Sequence, residues 1–154
     1  MNWAIVFAVT TATLVALKVA TDPRPSDRIA DRGRAAAVAE TTLSAHRAAE
    51  RWVTANPSAT GAVPLSPTNG RRFDGVASCV AAMRVATWAT ETAGAPAAEV
   101  GRAMRARLQG WPAAGVSGSG RVLAGSESRA TLPCAVPDGA PVVVTPVVIT
   151  LASP

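Results

Sequence analysis

The chain has 154 residues, which leaves one small domain of ordinary size once its apolar first stretch is set aside. Residues of the set AVILMFWYC make up 49% of it, but alanine dominates, with two Phe, four Trp and no Tyr, so the core is expected to be modest and built from Ala, Val and Leu. The net charge of +5 is almost wholly arginine, yet the arginines are spread along the chain with no dense basic block interleaved with aromatics, so no nucleic-acid partner is expected.

Met1 to Leu17 carries no charged side chain, no Pro and no Gly, and Val19-Ala20 extend the apolar run past Lys18. A helix of ~20 such residues rises about 30 Å, the thickness of a bilayer's hydrocarbon core. Residues 1–20 are therefore expected to form a single-pass membrane anchor. Trp3 would stand at one membrane–water boundary, Phe7, Leu14 and Leu17 in the apolar body, and Lys18 would snorkel at the other end. A cleaved signal peptide is the competing reading, but no basic residue precedes the run and Lys18-Val19-Ala20 is a poor cleavage site. A buried core helix is the third.

Thr21 to Ser26 reads as a tether, because Pro23 and Pro25 remove donors and push their neighbours toward extended conformations. A domain over 27–154 follows. Its first helix is expected from about Asp27 to Thr54, with Ala35, Ala36, Ala39, Thr42, Leu43, His46, Ala49 and Val53 on one face. Asn56-Pro57 ends it, and the Pro- and Gly-rich stretch from Pro57 to Gly70 is a loop. Val76–Val80 and Arg84–Thr90 read as strands with a turn at Ala81 to Met83. Pro96 opens another helix, whose apolar face is Val100, Ala103, Met104 and Leu108 and whose end is Gly110. From Gly115 onward the chain is strand-rich. A short strand is expected around Arg121 to Ala124, a turn at Asp138-Gly139, and strands at Val142–Val144 and Val147–Leu151. Pro146 confines the break between these last two to an edge or a kink. The fold class expected is α+β: a transmembrane helix, then one domain of two helices and a short antiparallel or mixed sheet.

No catalytic constellation is visible. His46 lacks a motif partner and reads as a core or interface residue, the ten acidic residues are scattered, and no Walker, dinucleotide-binding or metal signature occurs. No enzyme activity, cofactor or metal is expected. Cys79 and Cys134 are too far apart for a C-x-x-C motif. They are either buried thiols or a disulfide, and a disulfide requires an oxidising compartment. A disulfide would place the domain outside the cytoplasm. The positive-inside rule points the other way, because Lys18, Arg24, Arg28, Arg32 and Arg34 all follow the anchor.

The order of parts, with Trp52-Val-Thr-Ala-Asn-Pro-Ser-Ala-Thr-Gly-Ala-Val-Pro-Leu65 leading into strands that hold Ala86-Thr-Trp-Ala89, resembles the PilM family of type IVb (thin) pilus biogenesis proteins. The resemblance covers the N-terminal half best and is architectural from Gly94 onward. It implies a non-enzymatic component of the pilus assembly apparatus in the bacterial inner membrane, with a periplasmic domain that docks other pilus proteins. The partners it implies are the lipid bilayer, other pilus-assembly proteins and the chain itself. A minor pilin or pseudopilin is the alternative within the same class. A secreted or periplasmic binding module with a cleaved signal peptide is the alternative from another.

Overall fold

The stretch from Pro25 to Ala55 is rich in alanine, the best helix former, and in a computed structural model of the chain it is one helix of 31 residues, α1. The structure describes residues 25–66, 72–108, 113–125 and 127–147. The chain divides into two units, Met1–Ala30 and Asp31–Pro154. Of the first, Pro25–Ala30 is described, as the opening turns of α1.

After α1 come β1 (Gly61–Ala62), β2 (Val76–Ala81), β3 (Arg84–Ala89), α2 (Ala97–Arg107), β4 (Ala113–Gly118), β5 (Arg121–Ala124), β6 (Glu127–Thr131) and β7 (Pro141–Pro146). The strands form one seven-stranded sheet in the order β1-β2-β3-β7-β4-β5-β6. Every pairing in it is antiparallel. The last strand among the described residues, β7, therefore lies at the centre, between β3 and β4.

Local chemistry sets the ends of the elements. Asn56 Nδ2 donates to the Trp52 carbonyl at 2.8 Å, and Pro57 then removes the next donor, so α1 stops there. Pro96 is the N-cap of α2, where its missing N–H costs nothing, and Glu99 in the first turn complements the helix dipole. Ala82 and Met83 join β2 to β3 and both have positive φ, 48° and 57°, the conformation of a two-residue type I′ hairpin.

Packing proceeds on both faces of the sheet. On one, Ala35, Ala39 and Leu43 of α1 meet Val100 and Met104 of α2 over Ala114 and Val143. Further along α1, Ala49 and Val53 pack on Val63, Val80 and Val85. Alanine on the helix lets its backbone approach the sheet closely, which compensates for the shortage of large apolar side chains. On the opposite face Cys79, Ala86, Val142 and Val144 are covered by Val122 and Leu132, with Trp88 and Cys134 at the margin. Because β7 has helix on one side and chain on the other, Val142, Val143 and Val144 are all buried, and the strand reads as a continuous apolar run.

The sheet is strongly coiled at its β5–β6 end. Arg84 on β3 donates to the Thr131 carbonyl on β6 across a long 3.5 Å, although three strands stand between them in the order. A flat sheet would hold those strands roughly 19 Å apart, four spacings of about 4.8 Å. Gly115 is the point that permits the fold-over. A Cβ there would lie 2.0 Å from the Leu123 carbonyl oxygen, and one on Gly101 would lie 2.9 Å from the Gly115 backbone. Leu123 of β5, Gly115 of β4 and Gly101 of α2 are thus stacked with no room for side chains between them.

The fold differs from the expected one in its sheet and in holding no membrane-spanning helix among the described residues. The sheet is seven-stranded and wholly antiparallel, where a short antiparallel or mixed sheet was expected. β1, β4 and β6 carry no alternation of branched apolar residues: Gly61-Ala62, Ala-Ala-Gly-Val-Ser-Gly and Glu-Ser-Arg-Ala-Thr are strands because neighbours pair with them. Pro146 ends a central strand and does not mark an edge. It sits at the last position of β7, where its missing N–H interrupts no run of pairing. The transmembrane helix of the expected fold is not found among the described residues. No helix among the described residues is long and apolar enough to cross a membrane, because α1, the longest, is studded with charges such as Arg28, Arg32, Glu40, Arg47 and Glu50. Trp3, Phe7, Leu14, Leu17 and Lys18 lie outside the described residues, as do Gly110 and the stretch from Val148 to Leu151.

Candidate functional site

The chemistry-bearing side chains of the fold converge at the seam between α1 and the sheet. His46, 2% exposed, leaves the buried face of α1 near its middle. Alternation along the strands brings Ser78 of β2, Thr87 of β3 and Thr145 of β7 to the same side, with Ser78 opposite Thr87 in the register. His46 Nδ1 lies 2.9 Å from Thr87 Oγ1, and Thr87 Oγ1 lies 2.6 Å from Ser78 Oγ. On the other side of the ring, Nε2 lies 2.9 Å from Thr145 Oγ1, which donates to Glu50 Oε1 at 2.7 Å. Glu50 follows His46 by one helical turn, so its carboxylate also faces Nε2, at 3.4 Å.

The direction of these bonds follows from the carboxylate. The Glu50 carboxyl is held below the usual carboxylate range, chiefly by its hydrogen bond with His46. Partial burial opposes this, and the Thr145 hydroxyl and the His46 and Arg47 charges assist it. An ionised carboxylate only accepts. Thr145 therefore spends its proton on Glu50 and accepts from His46 Nε2–H. Nδ1 shares the next bond with Thr87, and Thr87 the one after with Ser78. The result is one line of hydrogen bonds from Ser78 to Glu50 across three strands and a helix. Among the described residues no buried side-chain nitrogen or oxygen lacks a partner.

A serine, a histidine and a glutamate on one line invite comparison with a nucleophile and its base. The connectivity is wrong for it: Ser78 bonds Thr87 and not the imidazole, and Ser78 and His46 are both buried beneath α1. The hollows beside the helix do not reach them. One of about 420 Å³ is lined by Glu40, Thr41, Ser44, Arg72 and Phe73, and one of about 230 Å³ includes Val53, Pro57, Val80 and Met83. The arrangement ties α1 to β2, β3 and β7 by directional bonds within an otherwise small-residue interface. Among the described residues no group of three or more His, Cys, Asp or Glu is placed to hold a metal ion.

The two cysteines meet. Cys79 on β2 is bridged to Cys134, in the segment after β6, with Cα atoms 6.6 Å apart. Of the two alternatives open in the sequence, the structure holds the disulfide. It pins the segment that covers the second face of the sheet, where Cys79 packs with Ala86, Val142 and Leu132. The sequence reading placed His46 on the correct face of α1 but missed its partners. Their only sequence signal is a hydroxyl at alternate positions of strands that are otherwise apolar, as in Val-Ala-Ser-Cys-Val and Val-Ala-Thr-Trp.

No curated protein and no solved structure matches the chain. The model of one family, PilM, matches residues 9–144, which takes in α1, the sheet as far as Val144 in β7 and the Trp52–Leu65 stretch that carries the resemblance. By that match the chain belongs to the PilM family, and so to the proteins of pilus assembly.

Proposed function

We propose that this chain is a non-enzymatic component of a type IVb pilus assembly apparatus, working at the bacterial inner membrane with its folded domain on the periplasmic side and docking other pilus proteins. Family membership is the observation that carries the reading. The Cys79–Cys134 bridge supports the compartment, since such bonds persist where thiols are kept oxidised. The Ser78–Glu50 line supports a scaffold role, because its buried groups, Ser78, Thr87, His46 and Thr145, bind one another.

The test is genetic. A strain lacking the chain is expected to make pilin normally but to raise no pili, and the full-length chain supplied in trans restores them. Normal piliation of the null strain overturns the reading. For the compartment, a membrane-impermeant thiol reagent applied to cells with opened outer membranes should label Cys79 and Cys134 only after reduction. Shielded thiols would place the domain in the cytoplasm.

A second reading, a minor pilin, draws on one observation. α1 already includes Pro25 and Ser26, residues that the sequence assigns to a tether, so the helix begins two residues earlier than that tether allows. In a pilin the helix runs without a break into the domain so that subunits stack. Shearing separates the two: a minor pilin leaves with the fibres, whereas an assembly component stays with the cell envelope.

A further inference from the structure

Where β5 and β6 coil back toward β3, a cavity of about 320 Å³ opens that is lined by Arg84, Arg121, Arg129, Ala130, Thr131 and Val144, among others. The three arginines come from β3, β5 and β6, so the coiling of the sheet, and not their sequence spacing, brings them together. Arg129 pairs with Glu127 at 2.6 Å, an exposed bond with Arg129 54% and Glu127 67% accessible. Among the described residues no carboxylate pairs with Arg84 or Arg121. Three guanidinium charges against one carboxylate leave the cavity cationic.

We propose that this cavity is a docking site for an extended, carboxylate-bearing peptide segment of a partner protein. Three features select that occupant. Guanidinium forks match carboxylate geometry and hold it by charge-assisted bonds. Ala113, Ala130, Val144 and Pro146 give the cavity an aliphatic floor, which a bare inorganic anion would not use and the methylenes and neighbours of an acidic side chain would. β6 is the last strand of the sheet, so among the described residues its outer edge has no pairing strand, and an extended segment can add there by main-chain bonds. Alternate side chains of such a strand would then face the arginines. Identification of the partner with a component of the pilus apparatus rests on the docking role proposed above.

The test uses the full-length chain in non-ionic detergent and two labelled hexapeptides, alternating Val with Glu or Val with Gln, read by fluorescence anisotropy. The Glu peptide should bind saturably and weaken as salt rises, and the Gln peptide should bind roughly tenfold more weakly or worse. Arg84→Gln with Arg121→Gln should lower affinity for the Glu peptide by roughly tenfold while the unfolding midpoint stays in place, both side chains being exposed. No saturable binding, equal binding of the two peptides, or unchanged affinity in the double variant overturns the proposal. So does competition by inorganic phosphate at the peptide's own concentration, which would mark a simple anion site. Binding to phosphatidylglycerol vesicles that is lost in the double variant, without peptide binding, would mark a lipid-facing patch and overturn it too. The double variant is then tested for piliation. Lost peptide binding with normal pili would sever the cavity from pilus assembly, whereas a null strain with normal pili would remove the function and leave the peptide affinity standing.

Discussion

At the scale of single residues, His46 illustrates how a buried polar group is made tolerable. Its ring joins two hydroxyls on different strands, and each hydroxyl has another partner in turn. His46→Leu keeps similar volume but removes two bonds, and is expected to cost about 2 kcal/mol and to lower the thermal midpoint by roughly 6 °C in a chain of this size. Differential scanning calorimetry would check it. Glu50 supplies a dependence on pH. Its carboxyl titrates below the usual range in the folded chain, so the stability it adds is fully present above the unfolded value, about 4.3, and is lost as pH falls through the lower folded value. Wild type should therefore exceed Glu50→Gln in stability near neutrality, and denaturant midpoints of the two should converge as acid is added. The carboxylate is about 40% accessible, so the gap should be small and shrink with salt.

At the scale of elements, two features of the sheet depend on backbone and not on side chains. Leu123 sits against Gly115 so closely that any Cβ there would overlap a carbonyl oxygen, a rigid atom of a paired strand. Gly115→Ala should therefore uncoil the β4–β5 hairpin, cost upward of about 3 kcal/mol and yield little soluble chain. Far-UV circular dichroism and recovery from expression would show it. The Ala82-Met83 hairpin is the opposite case, a left-handed turn built from residues that dislike it. Ala82→Asn with Met83→Gly supplies the residues that such a turn prefers, and should raise stability by about 1 kcal/mol with no change in fold. A chemical denaturation midpoint that fails to rise would contradict the turn assignment.

At the scale of the whole molecule, the Cys79–Cys134 bridge closes a separation of 55 residues that contains β3, α2, β4, β5 and β6. In the chain-entropy account a loop of that length stabilises by about 4 kcal/mol. Cys79→Ala with Cys134→Ala, or reduction of the native chain, should lower the melting midpoint by roughly 12 °C and expose the sheet face that the Cys134 segment covers. Limited proteolysis between Leu132 and Ala140 would report that exposure. A bridge with this effect also bears on where the chain works, because a reducing compartment would withdraw it.

Much of this architecture was legible in the residues alone. Alanine spacing gave the buried face of α1, Asn56-Pro57 its end, and Pro96 the start of α2, because helix faces and caps are local matters decided within one or two turns. Family membership was likewise readable from the stretch beginning at Trp52. The strands of weak alternation were not: β4 and β6 have no apolar signature of their own and exist because β7 and β5 offer them partners. Nor could the sequence place β7 at the centre, join Ser78, Thr87 and Thr145 to His46, or gather Arg84, Arg121 and Arg129 about one cavity. Each of these depends on strand order and on the coiling at Gly115, which are settled by long-range pairing and close backbone approach, and neither leaves a trace in the spacing of residues along the chain.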